Sequence, residues 1–301
     1  MPIAFEQVSF SYDGEPRAGG NARGRRTKAA AGGATNADAW PWALRDLSFT
    51  VEDGECFGIA GHTGSGKSTL ISHMNGLARP TRGHVLVDGT DTADRTGAAA
   101  CRERVGVVFQ YPEQQLFAAT VREDVAFGPR NLGLGDDETA ERVEEALASV
   151  GLDAAQVGDA SPFSLSGGQR RRAAIAGVLA MRPRTLVMDE PAAGLDPKGR
   201  EELLSLIATL RERGLTIVIV SHSMDDLARL ADRILVLADG RQAMLGTPEE
   251  VFAHADDLRR IGLDAPAANR MASHLRDEGF DLPRALYDTR TLADDVAADL
   301  R

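Results

Sequence analysis

An α/β fold organised around a parallel sheet is what this sequence predicts, with an antiparallel β segment ahead of the sheet and helices behind it. Three patterns carry that expectation: apolar strand-like runs that alternate with helical ones from residue 44 onward, a period-two segment at the N-terminus, and apolar spacings of three and four in the intervening stretches. Length and composition agree. A chain of 301 residues has room for one large domain with an appendage or for two smaller ones, and either buries a full core. Its 43% hydrophobic and 5% aromatic residues are ordinary for a globular protein.

Residues 2–10 alternate apolar and polar positions, which predicts a strand at the edge of an antiparallel sheet, and Tyr12 with Asp13-Gly14 marks a turn. Residues 17–38 are rich in Gly, Ala and Arg and show no hydrophobic period; Arg17, Arg23, Arg25, Arg26 and Lys28 stand there in an acidic protein. Such a composition cannot offset its own ordering entropy, so a flexible insertion over about 13–40 is expected. Strand-like runs follow at 56–60, 104–109, 185–189, 216–220 and 233–237, the rhythm of parallel βαβ construction. Residues 138–150 and 198–211 carry the apolar spacing of amphipathic helices. Past Gly246, helical stretches at 248–252, 267–278 and 291–300 form an acidic tail. The organisation expected is a domain over 1–246 and a C-terminal helical extension over 247–301.

The 45 acidic and 34 basic residues give a net charge of -11, which opposes a general nucleic-acid-binding role because phosphate contacts need clustered Lys and Arg. Cys56 and Cys101 lie far apart without metal-ligand spacing, so neither a disulfide framework nor a zinc site is read, and a reducing cytoplasm is expected. No apolar run approaches the roughly 20 residues of a spanning helix, and residues 1–10 lack the order of a signal peptide. Any membrane role is expected through a partner.

Three segments carry chemistry. Gly61-His62-Thr63-Gly64-Ser65-Gly66-Lys67-Ser68 follows a short apolar strand and opens a helical pattern at Thr69, satisfying the whole P-loop pattern. Its glycines let several backbone N–H groups and a helix N-terminus face one phosphate chain, while Lys67 neutralises the outer phosphates and the Ser68 hydroxyl ligates Mg²⁺. Residues 185–190 are an apolar strand delivering Asp189 and Glu190 at its C-terminal end, where ligands bind in parallel sheets. Asp189 suits a Mg²⁺ anchor, and Glu190 suits the polarisation of a water that attacks the γ-phosphate. Leu165-Ser166-Gly167-Gly168-Gln169 precedes Arg170-Arg171-Arg172 and a helical run to Met181, placing a hydroxyl and Gly N–H groups at a second phosphate-facing helix end. One P-loop with two such ends suggests that the second serves a nucleotide held by another subunit.

The P-loop, Gln110, residues 165–169, Met188-Asp189-Glu190, Gly194-Leu195-Asp196 and His222 stand in the order found in ATP-binding-cassette ATPases, which the chain resembles over about residues 3–245. That resemblance implies a P-loop nucleotide-binding core with a parallel sheet, an antiparallel β subdomain and a helical subdomain carrying the 165–169 signature. It implies a head-to-tail dimer that sandwiches two ATP molecules between the P-loop and signature helix of opposite subunits, so that Ser166 and Gly168 act in trans, and it adds Gly167, Gln169 and Asp196 to the nucleotide-binding residues. It also places Gln110 near Mg²⁺ and the attacking water, His222 against the γ-phosphate, and Tyr12 as the aromatic that stacks on adenine, with Trp40 or Trp42 as alternatives.

A narrower resemblance lies in Tyr111-Pro112-Glu113-Gln114-Gln115-Leu116-Phe117 and residues 120–128, which look like the segment after this glutamine in energy-coupling-factor importers of vitamins and metal ions. Phe163-Ser164, His73-Met74-Asn75-Gly76-Leu77 and residues 261–266 are similar to the same subunits. In that family a Pro-acid-x-Gln helix grips a transmembrane scaffold subunit, and here the acid is Glu113 rather than the usual Asp. The resemblance implies an ATP-hydrolysing motor at the cytoplasmic face of the membrane, partnered by that scaffold, a substrate-binding membrane subunit and a second ATPase subunit, alike or related. The alternative is a soluble cassette ATPase of DNA repair or translation, which would carry coiled-coil insertions, zinc-binding cysteines or tandem cassettes. A nucleotide-gated module without turnover would show a replaced Glu190 or His222, and both are retained.

Overall fold

Two sheets and the helices packed on them make up residues 2–14, 40–283 and 287–299, which this computed structural model describes. The expected insertion falls, apart from its ends, outside the described residues. Those ends meet, since Trp40 Nε1 donates to the Gly14 carbonyl at 3.0 Å.

The N-terminal part contains β1 (Ile3–Phe10), β2 (Leu44–Val51), β3 (Cys56–Gly61), α1 (Lys67–Met74), β4 (Arg82–Val87), β5 (Thr90–Asp91), α2 (Arg95–Arg104) and β6 (Val105–Val108). A helical stretch follows, with α3 (Val121–Asn131), α4 (Asp136–Ser149), α5 (Ala154–Val157) and α6 (Gly167–Leu179). The chain then returns to the sheet through β7 (Thr185–Asp189), α7 (Pro197–Glu212), β8 (Thr216–Val220), α8 (Met224–Leu230), β9 (Arg233–Ala238) and β10 (Arg241–Gly246). It closes with α9 (Pro248–Phe252), α10 (Ala255–Arg260), α11 (Ala267–Asp277) and α12 (Thr289–Asp299).

The larger sheet runs β10-β9-β3-β8-β7-β6, parallel from β9 to β6 with β10 antiparallel at one edge. Every residue of β3 and β8 is buried, as a parallel sheet covered on both faces requires. The smaller sheet is antiparallel in the order β2-β1-β4-β5. This corrects one expectation: β1 is not an edge strand, because β4 pairs along its second side. Period-two alternation reports one buried face and says nothing of how many neighbours a strand has. The missing neighbour begins Arg82-Gly83-His84, whose polar start masks its strand character.

Two cores flank the larger sheet. Between the sheets, Phe5 stacks on Phe49 at 4.6 Å and Phe49 on Phe57 at 5.5 Å, with Ile59, Val187, Val218 and Leu235 beneath. Each such buried side chain contributes about 1.5–3 kcal/mol by leaving water. On the opposite face, Val125, Leu147, Ile175, Leu204 and Leu227 pack from α3, α4, α6, α7 and α8. Phe252 and Leu258 of α9 and α10 join this second core, whereas Ala268 and Ala272 of α11 form a separate cluster with Leu282 and Leu292.

Candidate functional site

β3 delivers the P-loop to the C-terminal edge of the larger sheet. Gly66 caps α1 with φ 106°, and a Cβ there would lie 2.7 Å from the Ala43 carbonyl oxygen, so the turn requires glycine. At Gly61 a Cβ would meet Ser65 Oγ at 2.3 Å, which fixes the loop's tight start. Lys67 is largely buried, and its Nζ donates to the carbonyls of Gly61 at 2.6 Å and His62 at 3.0 Å. Burial pushes its pKa down, while the Glu190 and Asp189 carboxylates pull it back up.

β7 brings Asp189 to its last position, and Glu190 follows with φ 48°. A side-chain-bearing residue in that left-handed region costs about 1–3 kcal/mol and persists where its surroundings over-determine it. The Glu190 amide donates to the Val220 carbonyl at 2.9 Å, anchoring it to β8. Its carboxylate lies 3.2 Å from His222 Nε2, on the turn that leaves β8. Burial raises the pKa of Glu190, opposed chiefly by the His222 backbone N–H, and burial raises that of Asp189 against the Lys67 charge. His222 is pushed down by burial and then by Lys67, which favours the neutral imidazole.

These groups share one cleft of about 740 Å³, lined by Tyr12, Thr63, Gly64, Gly66, Lys67, Ser68, Thr69, Gln110, Asp189, Glu190 and His222 among others. Gly61, His62 and Ser65 complete the loop around it. Tyr12 is 77% exposed at the rim, its hydroxyl 2.9 Å from Thr69 Oγ1, and Trp42 lines the cleft as well, whereas Trp40 does not. Sequence reasoning missed Ala43, Asp239 and Gly240, which line the same cleft. The signal for the last two was available: Asp239-Gly240, with φ 49° and 74°, is the two-residue turn joining β9 to β10. The Gly240 amide donates to the Ser65 carbonyl at 3.0 Å, so this hairpin tip braces the P-loop.

Ser166, Gly167, Gly168, Gln169 and Asp196 are not brought to the cleft. Ser166 caps α6 in a reciprocal pair with Gln169, the hydroxyl accepting the Gln169 amide at 3.3 Å and the Gln169 side chain accepting the Ser166 amide at 3.0 Å. Ser166 and Gly167 are exposed. Asp196 caps α7 by accepting the Gly199 amide at 2.7 Å. Glu113, which the sequence suggested as part of a partner-gripping surface, has both carboxylate oxygens taken up by Arg171 of α6 at 3.0 and 3.1 Å. The pairing escapes sequence reasoning because 58 residues separate the two side chains.

The family described as ABC transporter matches residues 44–193. The energy-coupling factor transporter ATP-binding protein EcfA2 of Symbiobacterium thermophilum is 54% identical over 300 residues, 99% of this chain and 95% of that one. EcfA2 of Caldanaerobacter subterraneus subsp. tengcongensis is 46% identical, covering 94% and 92%, and EcfA1 of Symbiobacterium thermophilum is 51% identical, covering 81% and 84%. Among solved structures, cbiO1 from Clostridium perfringens, part of the ABC transporter complex cbiONQ, superposes with a TM-score of 0.70 at 34% identity, covering 91% of this chain and 98% of that one. The cassette MJ0796, in a dimer bound to ADP and Pi, gives 0.64 at 28% identity, covering 81% and 98%. With an identity above one half along nearly its whole length and the P-loop, acidic pair and histidine gathered in one cleft, the chain belongs to the ATP-binding-cassette transporter ATPases, among the energy-coupling-factor ATP-binding subunits.

Proposed function

We propose that this chain binds ATP with Mg²⁺ in the cleft at the P-loop and hydrolyses it with Glu190 as general base, His222 as the group orienting the attacking water and Gln110 beside it. The convergence of Lys67, Asp189, Glu190 and His222 in one cleft carries this reading. Lys67 and the loop amides hold the phosphates, with Ser68 and Thr69 at the N-terminus of α1. The hard oxygen donors Ser68, Gln110 and Asp189 line the same cleft and suit Mg²⁺, which takes one or two carboxylates and completes its shell with phosphate and water. When bound, that ion neutralises charge on the phosphates. The 3.2 Å contact between His222 and Glu190 supports a shared hold on one water, and the burial that raises Glu190's pKa strengthens it as a base. Tyr12 or Trp42 at the rim stacks on adenine.

The exposed Ser166-Gly167 end of α6 lies outside its own cleft, which supports action of Ser166, Gly167, Gly168, Gln169 and Asp196 on ATP held by a second copy or a related ATPase subunit. Similarity to both EcfA2 and EcfA1 relatives fits either pairing. Among the described residues no helix is long and apolar enough to cross a membrane. A groove of about 700 Å³ bearing exposed Phe117 and Phe127 supports docking on a transmembrane scaffold subunit at the cytoplasmic face, with a substrate-binding membrane subunit beyond it. In this reading residues 1–246 form the ATPase domain and 247–301 a helical extension.

The decisive variant is Glu190→Gln. It keeps ATP binding, lowers hydrolysis by about a hundredfold or more and accumulates an ATP-filled dimer, read by phosphate release and size-exclusion chromatography. Parental turnover would remove Glu190 from the role of base. Lys67→Ala instead loses charge-assisted bonds worth about 1.5–3 kcal/mol, so its Kd for ATP rises roughly tenfold or more. Equal ATP affinity in the two variants would contradict this division of labour.

A further inference from the structure

Arg171 stands two residues past Gln169 on α6, and only 4% of its side chain is exposed. A guanidinium carries five N–H donors in a rigid planar fork. Each finds an acceptor here. Nε and Nη2 meet the two carboxylate oxygens of Glu113 at 3.0 and 3.1 Å, Nη1 reaches the carbonyls of Pro191 and Ala193 at 3.0 Å each, and Nη2 also reaches that of Ala193 at 3.0 Å. One side chain thereby joins three segments: the Pro112–Gln115 turn that follows Gln110, the start of α6 behind Ser166, and the 191–193 turn directly after Glu190. The residues flanking the first and third of these also lie close together, since a Cβ on Gly194 would lie 3.2 Å from Tyr111 Cε1.

Stability alone does not account for an ion pair whose guanidinium is only 4% exposed and whose carboxylate is 21% exposed, because desolvation of the guanidinium offsets much of the attraction and an apolar pair of similar volume would hold the segments as well. What the pair adds is direction. Glu190 requires it: its left-handed backbone at φ 48° persists only where neighbours fix it. Its carbonyl accepts the Ala193 amide at 3.1 Å, and the carbonyl of that same Ala193 is gripped by two Arg171 N–H groups. We propose that Arg171 is a positioning residue that couples the Pro112–Gln115 turn and the signature helix to Glu190, by fixing the 191–193 turn on which the backbone of Glu190 rests. A shift of the 112–115 turn by about half an ångström stretches a 3.0 Å bond to its limit, so displacement at that surface reaches the carboxylate through one planar group. The inference rests on the reading of Glu190 as the base.

The test uses the full chain, with saturation kinetics of ATP hydrolysis, Kd for a fluorescent ATP analogue, and Tm. Arg171→Lys keeps the positive charge toward Glu113 but offers three donors from one point and cannot span both turns. It is expected to lower kcat by about tenfold to a hundredfold, with Kd for the analogue unchanged and Tm within a few degrees of the parent. Glu113→Gln preserves shape and should lower kcat in the same direction, and the double variant should lose no more than Arg171→Lys alone. Parental kcat per folded molecule in either single variant, whatever the Tm, overturns the proposal. Should Arg171→Lys not fold, Glu113→Gln decides by the same criterion. Glu190→Gln is measured alongside: parental hydrolysis there sinks the base assignment, whereas its loss together with parental Arg171→Lys turnover sinks only the coupling.

Discussion

At the acidic end of the cleft, two adjacent carboxylates and a lysine are held partly out of water before any nucleotide arrives. Burial disfavours the ionised forms of Asp189 and Glu190 and of Lys67, and the attraction of each carboxylate to Lys67 offsets this only in part. The consequence for stability has a definite sign. Glu190's folded-state pKa lies above its ordinary value of 4.5, so its contribution to stability is fully present below pH 4.5 and is lost as pH rises through the raised value. At neutral pH the charged carboxylate therefore weakens the nucleotide-free fold. Glu190→Gln should raise the Tm of the nucleotide-free protein at neutral pH, and the gap from the parent should shrink as pH falls below 4.5. Thermal unfolding followed across pH checks it; a lower Tm for the variant at neutral pH would contradict the assignment. The same arrangement suits an anionic ligand such as ATP, whose phosphates would meet Lys67, and in the reading proposed above an accompanying Mg²⁺ would meet Asp189.

Two tight hairpins have the same turn chemistry, and one of them supports the cleft. Asp88-Gly89 turns β4 into β5 and Asp239-Gly240 turns β9 into β10, and all four residues have positive φ, between 49° and 74°, as two-residue turns of this kind demand. Gly240 has a second constraint, since a Cβ there would sit 2.7 Å from the Ala43 carbonyl oxygen. Gly240→Ala should cost roughly 1–3 kcal/mol in denaturant unfolding and weaken ATP binding, because the displaced amide no longer holds the Ser65 carbonyl. Unchanged ATP affinity would show that the hairpin tip does not brace the loop. Much of this level was legible in advance: the P-loop announces itself by its glycine and Lys-Ser spacing, and β7 with its acidic end, β8 and α7 by unbroken apolar runs or helical spacing. β10 did not, because Arg241–Gly246 is an edge strand whose first three residues are exposed and which has no apolar alternation to read, and only its Asp-Gly turn marks it. The union of Glu113 with Arg171 was illegible for another reason, since local pattern carries no information on which distant segments meet.

For the whole molecule, the relation between the cleft and the exposed aromatic groove decides how hydrolysis can act on something else. Phe117 and Phe127 are 62% and 51% exposed, and their rings meet edge to face at 5.0 Å. Their exposure is built in. Asp124 of α3 accepts the amides of Phe117 and Ala118 at 2.8 Å each, and Thr120 and Glu123 close a capping box, so the segment is fixed against the helix. Paired aromatics held out to water on an otherwise acidic chain mark an interaction surface. Gln115, the last residue of the turn that Arg171 grips, and Leu116 line the groove, so a partner seated there adjoins the path toward Glu190. Replacing both rings, Phe117→Ser with Phe127→Ser, should leave ATP binding and hydrolysis of the purified chain at parental levels, because neither side chain lines the cleft or enters the core. Capture of a transmembrane scaffold subunit from solubilised membranes should fall to background. Retained capture would move the docking surface elsewhere, and lost hydrolysis in the absence of any partner would show that the groove shapes the cleft directly.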